Sequence, residues 1–263
     1  MPELPDVENF KRYVDATALY HDIAETAVTA PEMLNNIDLR KLQQGLKGHH
    51  FEKTRRHGKL LFIELDDGHT LVLHFGMTGE IRYYKHEDAT PRYTRLRLDF
   101  DNGYHLAYTS RRKLGEIALI EDVDRFIHDQ QLGPDAAAID FEDFKGQARD
   151  RRGTVKGWLM DQQALAGIGN VYSDEILFQA HLHPKTRVAE LSDDGLQRLY
   201  DTMTQVLETT VAAHADPEQM PADFLLPHRD EGAACPRCNG RVARISVSGR
   251  SAYYCPRCQP PPR

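Results

Sequence analysis

Four cysteines, and no others, stand near the C-terminus as Cys235-Pro-Arg-Cys238 and, after sixteen intervening residues, Cys255-Pro-Arg-Cys258. A C-x2-C pair can place two thiolates on one ion from a tight turn. A second pair at this distance completes a tetrahedral four-thiolate zinc site. Such a site is structural, because four protein ligands leave no open position for water. Two disulfides are the competing arrangement, which a cytosolic setting disfavours. Between the knuckles, RVARISVSGRSAYY alternates apolar and polar residues around Ser248-Gly249 and reads as a β-hairpin.

At the other end, MPELPDVE places Pro5, Asp6 and Glu8 where an amphipathic helix would open, with acids suiting the helix dipole. Further along, Gly167-Ile168-Gly169-Asn170 joins two short helical patterns. A glycine-rich turn of this kind can offer backbone N–H groups and an amide side chain to a phosphate, aided by the following helix N-terminus. A tight helix–helix corner is the alternative.

Charge separates along the chain. From Cys235 to Arg263 there are six arginines and no acid, so a net charge of −7 for the whole leaves −13 on the remainder. A small basic module on an acidic body suggests phosphate contact. With 40% hydrophobic and 28% charged residues, the 263-residue chain reads as globular rather than disordered. Its length suffices for two moderate domains plus a small module. No apolar run approaches the roughly 20 residues of a membrane span, and no charged-then-apolar leader is visible, so the expected address is cytoplasmic.

The elements that must position these groups follow from periodicity. From about residue 60 to 121 the chain is strand-like. LLFIEL and TLVLHF flank DDGH, TRLRLDF and YHLAYT flank Asp101-Asn102-Gly103, and EIALI follows. Near 132–140 the pattern changes, and from Phe141 to about Ala213 it is helical. The predicted class is α+β. It comprises an N-terminal helix plus antiparallel β-sandwich over 1–130, a helical domain over 131–225, and a four-cysteine zinc-finger β-hairpin over 226–263.

Taken in order, these pieces resemble the formamidopyrimidine-DNA glycosylase / endonuclease VIII family. MPELPDVE resembles the family's catalytic N-terminus. The run from Lys53 to Lys59 with LLFIEL resembles its lysine-bearing strand, and HFGMTG the loop with an intercalating methionine. KGWLMDQ through GIGNVYSDEILF to His183-Pro184 resembles its helix-two-turn-helix, and the paired knuckles with Ser248-Gly249-Arg250 its zinc finger.

The resemblance implies a bifunctional glycosylase and abasic-site lyase of base-excision repair, removing oxidised bases such as formamidopyrimidine, 8-oxoguanine or oxidised pyrimidines. Pro2, freed by loss of Met1, would form a Schiff base and lead to β,δ-elimination. Glu3 would act as general acid/base, and Lys59 would hold a phosphate. Met77, Arg112 and Leu114 would fill the space left by a flipped nucleotide. Asn170 and Arg250 would clamp phosphates with help from Lys156, and Asp6 would face the lesion. The implied partner is damaged double-stranded DNA, the oligomeric state monomeric, and the cofactor one structural Zn2+ at Cys235, Cys238, Cys255 and Cys258. Ordinary readings stand beside these: Lys59 as an exposed strand lysine, Met77 as core.

Three departures from the family pattern concern the lesion. The second wedge loop reads SRRKLG, with Leu114 where phenylalanine is usual. Asp6 stands where glutamate is common. The stretch before the zinc finger differs from the long loop that closes over oxidised guanine. Two other classes of function fit parts of the chain. One is a non-catalytic lesion- or DNA-binding paralogue. The other is an unrelated enzyme that uses an N-terminal proline as general base on a small keto-acid.

Overall fold

Glu3 caps helix α1 (Leu4–Thr17), and Pro5 occupies its first turn, where a missing N–H costs nothing. Leu4, Val7 and Val14 recur on one face and are buried. That face lies against strands β2 (Phe51–His57), β3 (Leu60–Leu65) and β5 (Gly79–Tyr84). The computed structural model describes residues 1–86, 89–149 and 151–262. Arg263, one of the six arginines of the basic segment, lies outside the described residues.

Two units divide the chain, Met1–Gln130 and Gln131–Arg263. In the first, the remaining strands are β1 (Ile23–Val28), β4 (Thr70–His74), β6 (Thr94–Phe100), β7 (His105–Ser110) and β8 (Glu116–Ile120). They form two four-stranded antiparallel sheets, in the orders β1-β6-β7-β5 and β2-β3-β4-β8. Residues of both sheets, including Phe51, Leu61, Leu73, Leu98 and Tyr108, share one buried core with Val7 and Val14 of α1. Truncating Phe51 to alanine would cost about 3–5 kcal/mol, because the cavity would be only partly refilled.

The predicted hairpins at DDGH and Asp101-Asn102-Gly103 are present. At the second, Phe100 and Tyr104 bond across the turn and Gly103 takes φ 76°. The prediction missed β1, α2 (Leu39–Leu46) and α3 (Val123–Asp129), named no segment for β5, and reached β2 only through the resemblance of residues 53–59 to a lysine-bearing strand. β2 reads FEKTRRH, and only its pairing with the apolar β3 makes so charged a segment a strand.

The second unit begins with α4 (Phe141–Ala148), capped by Asp140, and α5 (Val155–Leu159), capped by Thr154. They are followed by α6 (Asn170–Gln179) and α7 (Asp193–Ala212), the latter capped by Ser192. Phe144 sits between Trp158 and Tyr200, with ring centroids 4.5 and 5.5 Å away. Strands β9 (Ala243–Val247) and β10 (Arg250–Tyr254) form the expected hairpin. Ser248 and Gly249 both take positive φ, 50° and 74°, as a two-residue primed turn requires. No described helix is long and apolar enough to cross a membrane.

Candidate functional site

In the first unit the chain start is tightly held. Glu3 is fully buried. Asp6 returns its carboxylate to the Glu3 N–H at 2.9 Å, closing a capping box around the first turn. Burial pushes the Asp6 carboxyl up to about 6, with the neighbouring Glu3 charge adding to the rise. The Glu3 N–H and the chain's own amino end oppose it. Pro2 is half-buried, and Met1 is 52% exposed.

Lys59 sits on the turn between β2 and β3 rather than on a strand, beside the buried Gly58. That corrects the strand placement: residues 58 and 59 are the reversal itself, and pairing begins with His57 and Leu60. Arg56 links this turn to α1. Its Nε donates to Glu8 Oε2 at 2.9 Å, and Nη1 donates to the Gly58 carbonyl at 3.3 Å. The Lys59 charge reaches half-buried His74, whose ionisation is held down chiefly by desolvation.

Met77, Arg112 and Leu114 come together in one exposed cluster. Arg112 Nη1 meets Met77 Sδ at 3.0 Å, and its N–H donates to Thr78 Oγ1 at 3.2 Å. Gly76 has φ 55°, and a Cβ there would lie 2.4 Å from the Leu114 carbonyl carbon. Only glycine permits the two loops to touch backbone to backbone. Met77 and Leu114 are 42% and 51% exposed, so the core-packing alternative for Met77 does not hold.

In the second unit, the turn between α5 and α6 is braced by Gln162. Its Nε2 donates to the carbonyls of Met160 (2.9 Å) and Ile168 (2.7 Å), and its Oε1 accepts the Gly167 N–H at 3.0 Å. Asn170 opens α6, and its side-chain Oδ1 is buried with no hydrogen-bond partner. Leu159, Leu165, Ile176, Leu177 and Phe178 are packing residues, all fully buried. Lys156 lies beneath the turn. It is wholly buried, with its ammonium on Asp174 at 2.6 Å and on the Asn170 carbonyl at 3.3 Å. Arg250 is exposed at the start of β10. The hairpin tip reaches α5, where a Cβ on Gly157 would lie 2.8 Å from Ser248 Oγ.

The four cysteine sulfurs lie close together: Cys235–Cys258 3.7 Å, Cys238–Cys255 3.6 Å and Cys238–Cys258 3.5 Å. A tetrahedron with Zn–S bonds of about 2.3 Å has edges of about 3.8 Å, whereas a disulfide requires about 2.05 Å. The donor set and spacing therefore fit structural zinc, and the disulfide alternative fails. The N–H groups of Arg237 and Gly240 point at the Cys235 and Cys238 sulfurs, at 3.5 and 3.3 Å.

Comparison with known proteins places this geometry. The formamidopyrimidine-DNA glycosylase N-terminal domain matches residues 1–117, the corresponding H2TH domain residues 132–220, and the zinc finger found in FPG and IleRS residues 232–261. The formamidopyrimidine-DNA glycosylase of Pelotomaculum thermopropionicum is 32% identical, with 98% of this chain and 99% of that protein aligned. That of Thermomicrobium roseum is 33% identical over 99% of each. The chain belongs to the formamidopyrimidine-DNA glycosylase family. Among solved structures, wild-type Lactococcus lactis Fpg (MutM) in complex with N7-benzyl-Fapy-dG-containing DNA superposes with TM-score 0.90 at 26% identity, covering 99% of this chain and 100% of that one. The same organism's Fpg with abasic-site-containing DNA gives 0.89 at 26%, covering 98% and 100%.

Several residues that build the site in this family member were not read from the sequence: Gln162, Asp174, Glu175 and Arg229. The partners of Asp174, Glu175 and Arg229 are distant in the chain, and Gln162 bonds only to backbone within six residues, so no side-chain pattern marks them. Glu175 is buried and accepts the N–H groups of Leu225 (3.1 Å) and Leu226 (2.7 Å). Desolvation raises its carboxyl from 4.5 to about 7, against the pull of those donors and of Gln179. A raised carboxyl keeps its proton in the folded state while the unfolded chain has lost it. Its contribution to stability is therefore complete below pH 4.5 and falls as pH rises to about 7, by at most about 1.4 kcal/mol per pH unit. Glu175→Gln should flatten that slope in thermal unfolding midpoints measured across this window. An unchanged slope relative to the parent chain would reject the assignment.

Proposed function

We propose that the chain is a bifunctional DNA glycosylase and abasic-site lyase of base-excision repair, acting as a monomer on oxidised bases in double-stranded DNA. The observation that carries the reading is Pro2 immediately ahead of a buried, capping Glu3, in a chain of this family. Once Met1 is removed, Pro2 offers a secondary amine with pKa near about 8, against about 10.4 for lysine, so a usable fraction is neutral.

The Pro2 nitrogen bonds to the sugar C1′ as the C1′–base bond breaks, and the damaged base leaves with the proton that the Pro2 nitrogen gives up. Glu3 delivers a proton to the ring oxygen as the sugar opens. The resulting iminium is cationic without further protonation and acts as an electron sink. Loss of a C2′ proton expels the 3′ phosphate, and loss of a C4′ proton expels the 5′ phosphate. Lys59, on its turn, holds a phosphate beside this sugar. Zinc supplies no chemistry here; its four thiolates hold the hairpin that carries Arg250.

The base cannot be reached inside the stack, so the nucleotide must be extruded at a cost of a few kcal/mol. Met77, with Arg112 and Leu114 beside it, is placed to wedge into the space. Met77→Ala should therefore lower kcat/KM on a paired damaged base by about 10- to 100-fold, and far less on a preformed abasic site. Equal losses on both substrates would remove the wedge assignment. The direct test of the function is borohydride trapping on abasic-site duplexes, followed by base release from a panel of oxidised bases. Binding without an adduct, even with Pro2 free, would instead favour the non-catalytic paralogue.

A further inference from the structure

Beneath the proposed phosphate clamp lies a carboxylate shared by four segments. Asp174 and Lys156 are both fully excluded from solvent. Asp174 Oδ1 accepts the Lys156 ammonium at 2.6 Å. The same ammonium donates to Ser173 Oγ at 2.9 Å and to the Asn170 carbonyl at 3.3 Å. Asp174 Oδ2 accepts Arg229 through Nε (2.9 Å) and Nη2 (2.8 Å), and accepts the backbone N–H of Tyr253 at 3.2 Å. Arg229 also reaches the Asn170 carbonyl at 3.4 Å and lies over the Tyr253 ring, 4.6 Å from its centroid.

One carboxylate thus joins α5, α6, the segment that follows the short turn at Leu226–His228, and strand β10. Both cations that it holds touch the carbonyl of Asn170. The N–H that it accepts belongs to the strand that carries Arg250. A buried ionic network of this kind adds little net stability, since well-packed apolar replacements often do as well. What it supplies is fixed geometry, because every partner must be satisfied in one arrangement.

The geometry points to Asp174 as the positioning residue of the phosphate clamp. It holds Asn170 on α6 and Arg250 on β10 in one register and keeps Lys156 and Arg229 beneath them. This rests on the DNA-binding part of the function proposed above.

The test uses full-length, zinc-loaded protein and abasic-site duplex, comparing the parent with Asp174→Asn, Asp174→Glu and Arg229→Met. Asp174→Asn should raise KM about tenfold and reduce the slope of log affinity against log salt by about one. Its kcat and its trapping rate at saturating DNA should stay within about twofold, with one zinc per chain retained. Arg229→Met should move the same quantities in the same direction, and Asp174→Glu should recover part of the loss. On an Asn170→Ala background, Asp174→Asn should add clearly less than it does in the parent, because part of its effect runs through that residue.

A folded, zinc-loaded Asp174→Asn protein with unchanged KM and salt slope would overturn the proposal. So would full additivity with Asn170→Ala. If Asp174→Asn fails to fold, Arg229→Met is read by the same criteria. Should the parent with free Pro2 give no adduct, the catalytic reading fails. The clamp is then still decided by duplex binding and its salt slope.

Discussion

A chain that keeps Met1 should form no borohydride-trapped adduct with abasic-site DNA, while the same chain beginning at Pro2 is trapped. In the Met1 form the Pro2 nitrogen is an amide, with its lone pair delocalised into the carbonyl, and it cannot attack C1′. The expected loss is at least about a thousandfold, because the amine of Met1 stands one residue away from the position that Pro2 holds beside Glu3. Trapping by the free-Pro2 form should rise with pH toward about 8, as more of the amine loses its proton. Pro2→Gly retains an amine and tests only the ring. Glu3→Gln keeps the size of the buried cap while removing its acid, so duplex binding should survive as base release falls by about 100- to 10,000-fold. An adduct of equal yield with and without Met1 would move the nucleophile elsewhere.

Removing zinc is the second large perturbation. Chelation, or Cys255→Ser, should abolish tight duplex binding, with an affinity loss of at least about a hundredfold. The hairpin has little apolar core of its own beyond Val242, Val247 and Ala252, and two of its cysteines are themselves part of the packing with Phe178 and Leu225. Without the ion, β9 and β10 lose their anchor, Arg250 loses its position, and Asp174 loses the Tyr253 N–H. The core of residues 1–130 contains no hairpin residue, so the circular-dichroism signal of its two sheets should persist. Zinc content measured against affinity checks this directly. Full affinity in a zinc-free chain would show that the hairpin is dispensable.

The parts legible in the sequence share one property, which is that their defining partners are close along the chain. The paired knuckles and the Ser248-Gly249 turn are local in this sense. So are the hairpins at DDGH and Asp101-Asn102-Gly103, where alternation and turn residues carry the whole signal. β2 was illegible in its own periodicity, and came only from the family resemblance, because FEKTRRH becomes a strand by pairing with β3. The burial of Lys156 was illegible for a related reason. A lysine beside a phosphate-binding turn reads as a surface cation, and nothing local reveals that Asp174, 18 residues on, takes its charge into the interior.

The sequence by itself determined the zinc ligands, the strand-rich first part and helical second part, and the family, with Pro2 and Glu3 at the chain start. Tertiary structure alone decided which groups meet. It put Met77 beside Arg112 across 35 residues, Arg56 between α1 and the Lys59 turn, and Arg229 on Asp174 across 55. The reason is physical: periodicity and turn chemistry act within a few residues, whereas burial of a charge obliges it to find a partner wherever the packed core brings one.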